Sequence, residues 1–134
     1  MVKQIFINLP VKSLERSVDF FTQMGFRFDE RFTDEKATSM VLNDSIFVML
    51  LLEKFFKSFT KKEIPDTEKS VEAILAIQVA SFEEIDILAQ KAFEAGATPT
   101  YTEDHGWMKS VGFADPDGHY WEIVYTDLSK LPEK

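Results

Sequence analysis

The sequence predicts an α+β fold built from two copies of one βαβββ module. Three observations carry this. Two segments open alike, Val11 to Gly25 (VKSLERSVDFFTQMG) and Val79 to Gly96 (VASFEEIDILAQKAFEAG), and each follows a short apolar strand. What comes after each helix is also alike: three strand-like runs separated by polar residues. The stretch from Phe113 to Tyr125, FADPDGHYWEIVY, reads as strand, tight turn, strand. The copies are offset by 68 residues at Val11 and Val79 and by 74 at Ile46 and Tyr120. A unit of that size, repeated, points to two modules whose sheets join around one core.

The elements follow in order. Ile5 to Leu9 is the first strand. Ser13 is a candidate N-cap, and Leu14, Val18 and Phe21 recur at helical spacing up to Gly25, which suits a left-handed C-terminal cap. Strands are expected at Phe26 to Phe32, Thr38 to Asn43 and Ile46 to Leu52, with turns at Asp34-Glu35-Lys36 and Asn43-Asp44. Residues 53–70 join the modules. They hold EKFFKSF, a short helix, then TKKEIPDTEKS, a polar linker. Phe55, Phe56 and Phe59 form one stripe if helical, which suits a cap on the core or a dimer interface better than a lid. The second module repeats the pattern. Ile74 to Val79 is a strand, and Ser81 and Glu84 have capping-box spacing. Ile85, Leu88 and Ala92 face one way, and Gly96 ends the helix. Strands follow at Thr98 to Thr102, Trp107 to Ala114 and Tyr120 to Thr126. The expectation is one domain over 1–134, with module one at about 1–52 and module two at about 71–134.

Composition narrows the functions. A net charge of -8 argues against a nucleic-acid partner, because phosphate binding needs a basic face. There is no Cys, so there is no disulfide, thiolate nucleophile or Cys-bound metal. No apolar run is long enough to span a membrane, and MVKQIFINLP lacks the apolar core of a signal peptide. A soluble cytoplasmic protein is expected. With 45% hydrophobic residues and 13 Phe, a core is available.

One residue is out of place. Asp115-Pro116-Asp117-Gly118 suits a type I turn. The strand after it is aromatic and β-branched except for Glu122. A carboxylate in such a strand needs a partner, a ligand or water, because burying it unpaired is costly.

Two βαβββ modules, an N-terminal LPVKSLERSVDFF and a C-terminal FADPDGHYWEI together resemble the vicinal oxygen chelate superfamily over essentially the whole chain. That superfamily includes glyoxalase I, extradiol dioxygenases, fosfomycin-modifying enzymes and bleomycin-resistance proteins. The resemblance implies a curved eight-stranded half-barrel sheet with helices on the convex side, a concave pocket and a homodimer. Its metal-dependent members place one ligand on the first and last strand of each module. Here those positions are Phe6, a residue near Val48 or at Met49, Ile74 and Glu122. Three of the four offer neither oxygen nor imidazole, so no metal and no cofactor are expected.

Strand alternation supplies the remaining candidates. Tyr120 and Glu122 share a face, with Trp121 opposite; Phe6 and Asn8 share the corresponding face of the first strand. The expected ligand-binding residues are Phe6, Asn8, Val48, Ile74, Trp107, Lys109, Tyr120 and Glu122. Lys109 would neutralise Glu122 if it points inward. His119 falls on the face opposite Glu122, as a strand-start residue. Glu122 and His105 are the catalytic candidates, His105 as a donor or base at the pocket rim. The expected function is metal-independent binding of a small organic molecule, similar to the resistance-protein branch. The alternatives are a metal-dependent lyase or dioxygenase with atypical ligands, a metal-free enzyme using Glu122 and His105 as acid and base, and a groove filled by its own side chains.

Overall fold

The structure is a computed structural model that describes residues 1–132. Its chain divides into two compact units, Met1–Asp66 and the residues from Thr67 onward. Each is a βαβββ module with one four-stranded sheet. The α+β class and the repeat read from the sequence are both present.

In the first unit the strands are β1 (Ile5–Val11), β2 (Arg27–Asp29), β3 (Ala37–Val41) and β4 (Ile46–Leu52), in the spatial order β1-β4-β3-β2. β1 runs parallel to β4. Helix α1 (Leu14–Gln23) carries the chain from β1 to β2 at the far edge of the sheet, and β3 and β4 return antiparallel toward β1. Ser13 caps it, its side chain accepting from Arg16 N, and Gly25 ends it at φ 100°. Ser17, Phe20 and Phe21 are its buried residues. Phe20 lay outside the apolar spacing picked from the sequence. β2 stops at Asp29, short of the expected Phe32. The Asp29 carboxylate accepts from Arg31 N at 3.0 Å and turns the chain into a 3-10 turn over Glu30–Phe32. Helix α2 (Glu53–Phe56) is a single turn before a 3-10 turn, Lys57–Phe59. The Phe stripe is therefore short: Phe55 meets Phe59 edge-on, and Phe59 stays largely exposed.

The second unit repeats this arrangement. Its strands are β5 (Ile74–Gln78), β6 (Thr98–Asp104), β7 (Met108–Ala114) and β8 (Tyr120–Thr126), in the order β5-β8-β7-β6, with β5 parallel to β8. Helix α3 (Phe82–Glu94) starts at a capping box, where Glu84 N donates to Ser81 Oγ and Ala80 N to the Glu84 carboxylate. Gly96 ends it at φ 106°.

The register shows which face each residue occupies, because residues paired across strands share a face. In unit one, Ile7, Val48 and Met40 align; Val48 and Met40 are fully buried. In unit two, Leu75, Trp121 and Phe113 align, as do Ile77, Ile123 and Val111; Trp121, Phe113 and Ile123 are buried. These are the faces on which each module's helix packs, α1 on β4 and α3 on β7 and β8.

Candidate functional site

The DPDG turn accounts for one carboxylate, that of Asp115. Asp115 is almost fully buried, yet all its bonds are structural. Its carboxylate accepts from Asp117 N at 2.9 Å, His119 N at 3.0 Å and the Trp121 indole Nε1 at 3.1 Å. Its backbone accepts from Gly118 N and donates to His119 O. Burial pushes the Asp115 carboxyl above the ordinary range; the His119 charge and the three donors pull against that. Gly118 sits at φ 83°, and a Cβ there would collide with Thr67 Oγ1, which donates to Asp117 O at 2.6 Å. No other residue fits this position without strain. The motif is thus a strut that sets β8 in register.

Glu122 is different. Its side chain points away from α3, since Trp121 and Ile123 occupy the helix face. It is half-buried, and among the described residues it makes no hydrogen bond or ion pair. Its row runs across the sheet as Ala76, Glu122 and Gly112. Both flanking positions are small. At Gly112 a side chain is excluded: a Cβ would fall 2.5 Å from Thr100 Oγ1 and 2.8 Å from the Tyr101 carbonyl oxygen. The irregular register of β6 between Pro99 and Thr102 brings Thr100 there. Tyr120 and Val124 lie above and below Glu122 on the same face, with Ile74 beside Tyr120 and half-exposed. Ser110, paired to Val124, is buried on this face, and its hydroxyl lacks a hydrogen-bond partner.

In unit one the matching face carries Phe6 and Asn8. Phe6 is 51% exposed and stacks on Phe47, ring centroids 4.9 Å apart. Asn8 pairs with Met49, Met49 with Ser39 and Ser39 with Asp29. By the repeat, Phe6 pairs with Phe47 as Ile74 pairs with Tyr120, so Met49 is the counterpart of Glu122.

Several expectations need correction. Val48 is not on this face. It lies opposite Ile7, fully buried against the helix, because the register, not the offset in sequence, fixes the facing; Met49 takes the place assigned to it. Lys109 does not face Glu122. It pairs with Tyr125 on the helix face, and its Nζ donates to Asp86 on α3 at 3.3 Å. His105 and Trp107 sit at the β6–β7 hairpin, rings 6.1 Å apart, with His105 Nε2 2.9 Å from the Glu103 carboxylate. His105 N bonds Met108 O, two strands across and four residues along from Glu122. Strand spacing and rise put the two about 16 Å apart. Glu122 and His105 therefore cannot act as acid and base on one reacting atom. Ala76 and Thr100 were absent from the predicted site. Gly112, inside a strand, was the available sign of a close backbone approach.

A metal ion fits neither donor set. Unit one offers Phe6 and Met49, a hydrocarbon and a soft thioether; unit two offers Ile74 and Glu122, a hydrocarbon and one carboxylate. Hard divalent ions need several oxygen or nitrogen ligands. Among the described residues no three His, Asp or Glu side chains group so as to hold one. A groove of about 560 Å³ lies on the helix side of unit two, lined by Asp86, Ala89, Gln90, Phe93, Glu94 and Val111, on the face opposite Glu122.

Residues 3–123 match the model of the glyoxalase/bleomycin resistance protein/dioxygenase superfamily. The hypothetical protein SA1046 from S. aureus is similar over 92% of this chain and 94% of its own, with 24% identity and a TM-score of 0.78. A glyoxalase-related enzyme from Fulvimarina pelagi shares 21% identity over 92% of this chain and 88% of its own, TM-score 0.76. The fosfomycin resistance protein FosX from Mesorhizobium loti shares 15% over 97% and 98%, TM-score 0.70. At these identities the likeness is one of fold. No curated protein matches the sequence.

Proposed function

The chain belongs to the glyoxalase/bleomycin resistance protein/dioxygenase superfamily, and we propose that it binds a small organic molecule without a metal ion, on the sheet face of unit two that carries Glu122. The observation behind this is the combination at the superfamily's ligand positions. Phe6, Met49 and Ile74 replace donors with apolar surface, and Phe6 and Ile74 are about half exposed. Within unit two, the half-exposed Ile74 and the ring of Tyr120 on the face of the unpartnered Glu122 carboxylate have the makeup of a ligand site: mostly apolar, with a few polar groups. No helix among the described residues is long and apolar enough to cross a membrane. We place the protein in the cytoplasm as a homodimer. Edge strands β1 and β5 leave backbone groups unpaired within their own sheets, and Ile5, Phe6 and Ile74 stand exposed on them. Partners other than a small molecule and a second copy are not expected; the net charge of -8 argues against nucleic acid.

The test is a thermal-shift screen of small aromatic and aliphatic compounds, run with and without EDTA. Hits that raise the melting temperature equally in both conditions support the proposal. Hits that vanish with EDTA and return with added metal would replace it with a metal-dependent function. Light scattering on the same samples checks the dimer; a monomeric mass at micromolar concentration would remove that part.

A further inference from the structure

We infer that the group received at Glu122 is an organic cation, an ammonium or amidinium on the ligand. This rests on the small-molecule proposal above and goes one step further, to the ligand's chemistry.

An ionised carboxylate only accepts hydrogen bonds, so whatever meets it must donate. Glu122 is half-buried and meets no donor among the described residues. Lys109, the basic residue on the neighbouring strand, is turned to the other face and held by Asp86. The carboxylate thus stands on the sheet face without a donor of the protein's own among the described residues.

The surroundings favour a compact cation over other donors. Ala76 and Gly112 flank the carboxylate, so no side chain of β5 or β7 competes for the space beside it. Over Gly112 stands the Thr100 hydroxyl, an oxygen that can accept a second hydrogen bond from a group with several N–H donors. Tyr120 lies two residues along the same face, and a ring there adds to the attraction for a cation. A neutral hydroxyl would answer Glu122 with one hydrogen bond; an ammonium answers it with charge and leaves donors for Thr100. A carboxylate or phosphate ligand would be repelled.

The experiment uses three matched probes: phenethylammonium, 2-phenylethanol and 3-phenylpropionate. Binding to the full chain is measured by calorimetry at pH 7 and low salt. The ammonium should bind at least about ten-fold more tightly than the alcohol, and the propionate most weakly, since charge-assisted hydrogen bonds are about twice as strong as neutral ones. In Glu122→Gln the ammonium's advantage over the alcohol should disappear, because Gln keeps an acceptor oxygen but not the charge. Equal binding of ammonium and alcohol, or an advantage that survives Glu122→Gln, overturns the cation and leaves the small-molecule proposal standing. Failure of all three probes to bind, with no hits in the thermal-shift screen, removes both. Should Glu122→Gln fail to fold, the wild-type ranking of the three probes decides the matter alone.

Discussion

The two modules can be compared row by row. On the helix side they match in kind: Ile7, Val48 and Met40 in one, Leu75, Trp121 and Phe113 in the other. On the opposite side they part. Unit one runs Asn8, Met49, Ser39, Asp29; unit two runs Ala76, Glu122, Gly112 and the irregular stretch of β6 at Thr100. The difference separates two jobs. The helix face carries the fold, so both copies keep it apolar and well packed. The other face is free to diverge, and there one copy has a thioether where the other has a carboxylate. Within FADPDGHYWEIVY the same division appears at shorter range. Asp115 is satisfied by three donors, while Glu122, seven residues on, meets none.

If Asp115 holds the fold, removing it should cost most. Asp115→Ala strands two backbone N–H groups and the Trp121 indole, so it should lose on the order of 3 kcal/mol or more in denaturant unfolding. The matching turn of unit one offers the contrast. Asn43 Oδ1 accepts from Ser45 N and Ile46 N, both exposed, so Asn43→Ala should lose only about 1 kcal/mol. Equal losses would mean that the two turns do the same work.

Exchanging the divergent pair should give smaller and opposite effects. Glu122→Met makes unit two resemble unit one and removes an unpaired charge; it should leave stability unchanged or raise it by up to about 1 kcal/mol. Met49→Glu does the reverse and should cost about 1 to 2 kcal/mol. A large drop in melting temperature for Glu122→Met would show Glu122 to be part of the fold.

The smallest expected effect is in pH. The Asp115 carboxyl is raised, so its contribution to stability is complete below the unfolded carboxyl range near about pH 4 and fades as pH rises through its folded value. The Asp29 carboxyl is lowered, first by the Arg31 guanidinium 2.7 Å away; its contribution is present above about pH 4 and is lost as pH falls. Hydrogen exchange between pH 3 and 6 should therefore show the β2 turn loosening in acid while the DPDG turn tightens. Parallel changes at both turns would contradict this.

Most of the fold was legible in the sequence because its signals are local. Ser13 and Ser81 as caps, Gly25 and Gly96 as stops, and DPDG as a turn each act within a few residues. The face of Glu122 was also legible, since alternation from Trp121 needs only one strand. What the sequence could not show was pairing across strands. Val48 and Met49 are equally apolar neighbours, and only the register against Asn8 distinguishes them. Lys109 was placed near Glu122 by strand adjacency, but Gly112 holds that row, three residues away. Asp115 looked like an ordinary turn residue; its indole bond depends on Trp121 folding back beneath the turn.

The central claim is that Glu122 serves a ligand and neither a metal nor the fold. Elemental analysis of protein purified and dialysed without chelator tests it most directly, with Glu122→Gln measured alongside. The account predicts well under one divalent ion per chain in both, and matching melting curves. About one ion per chain in the wild type, lost together with stability in Glu122→Gln, would contradict it.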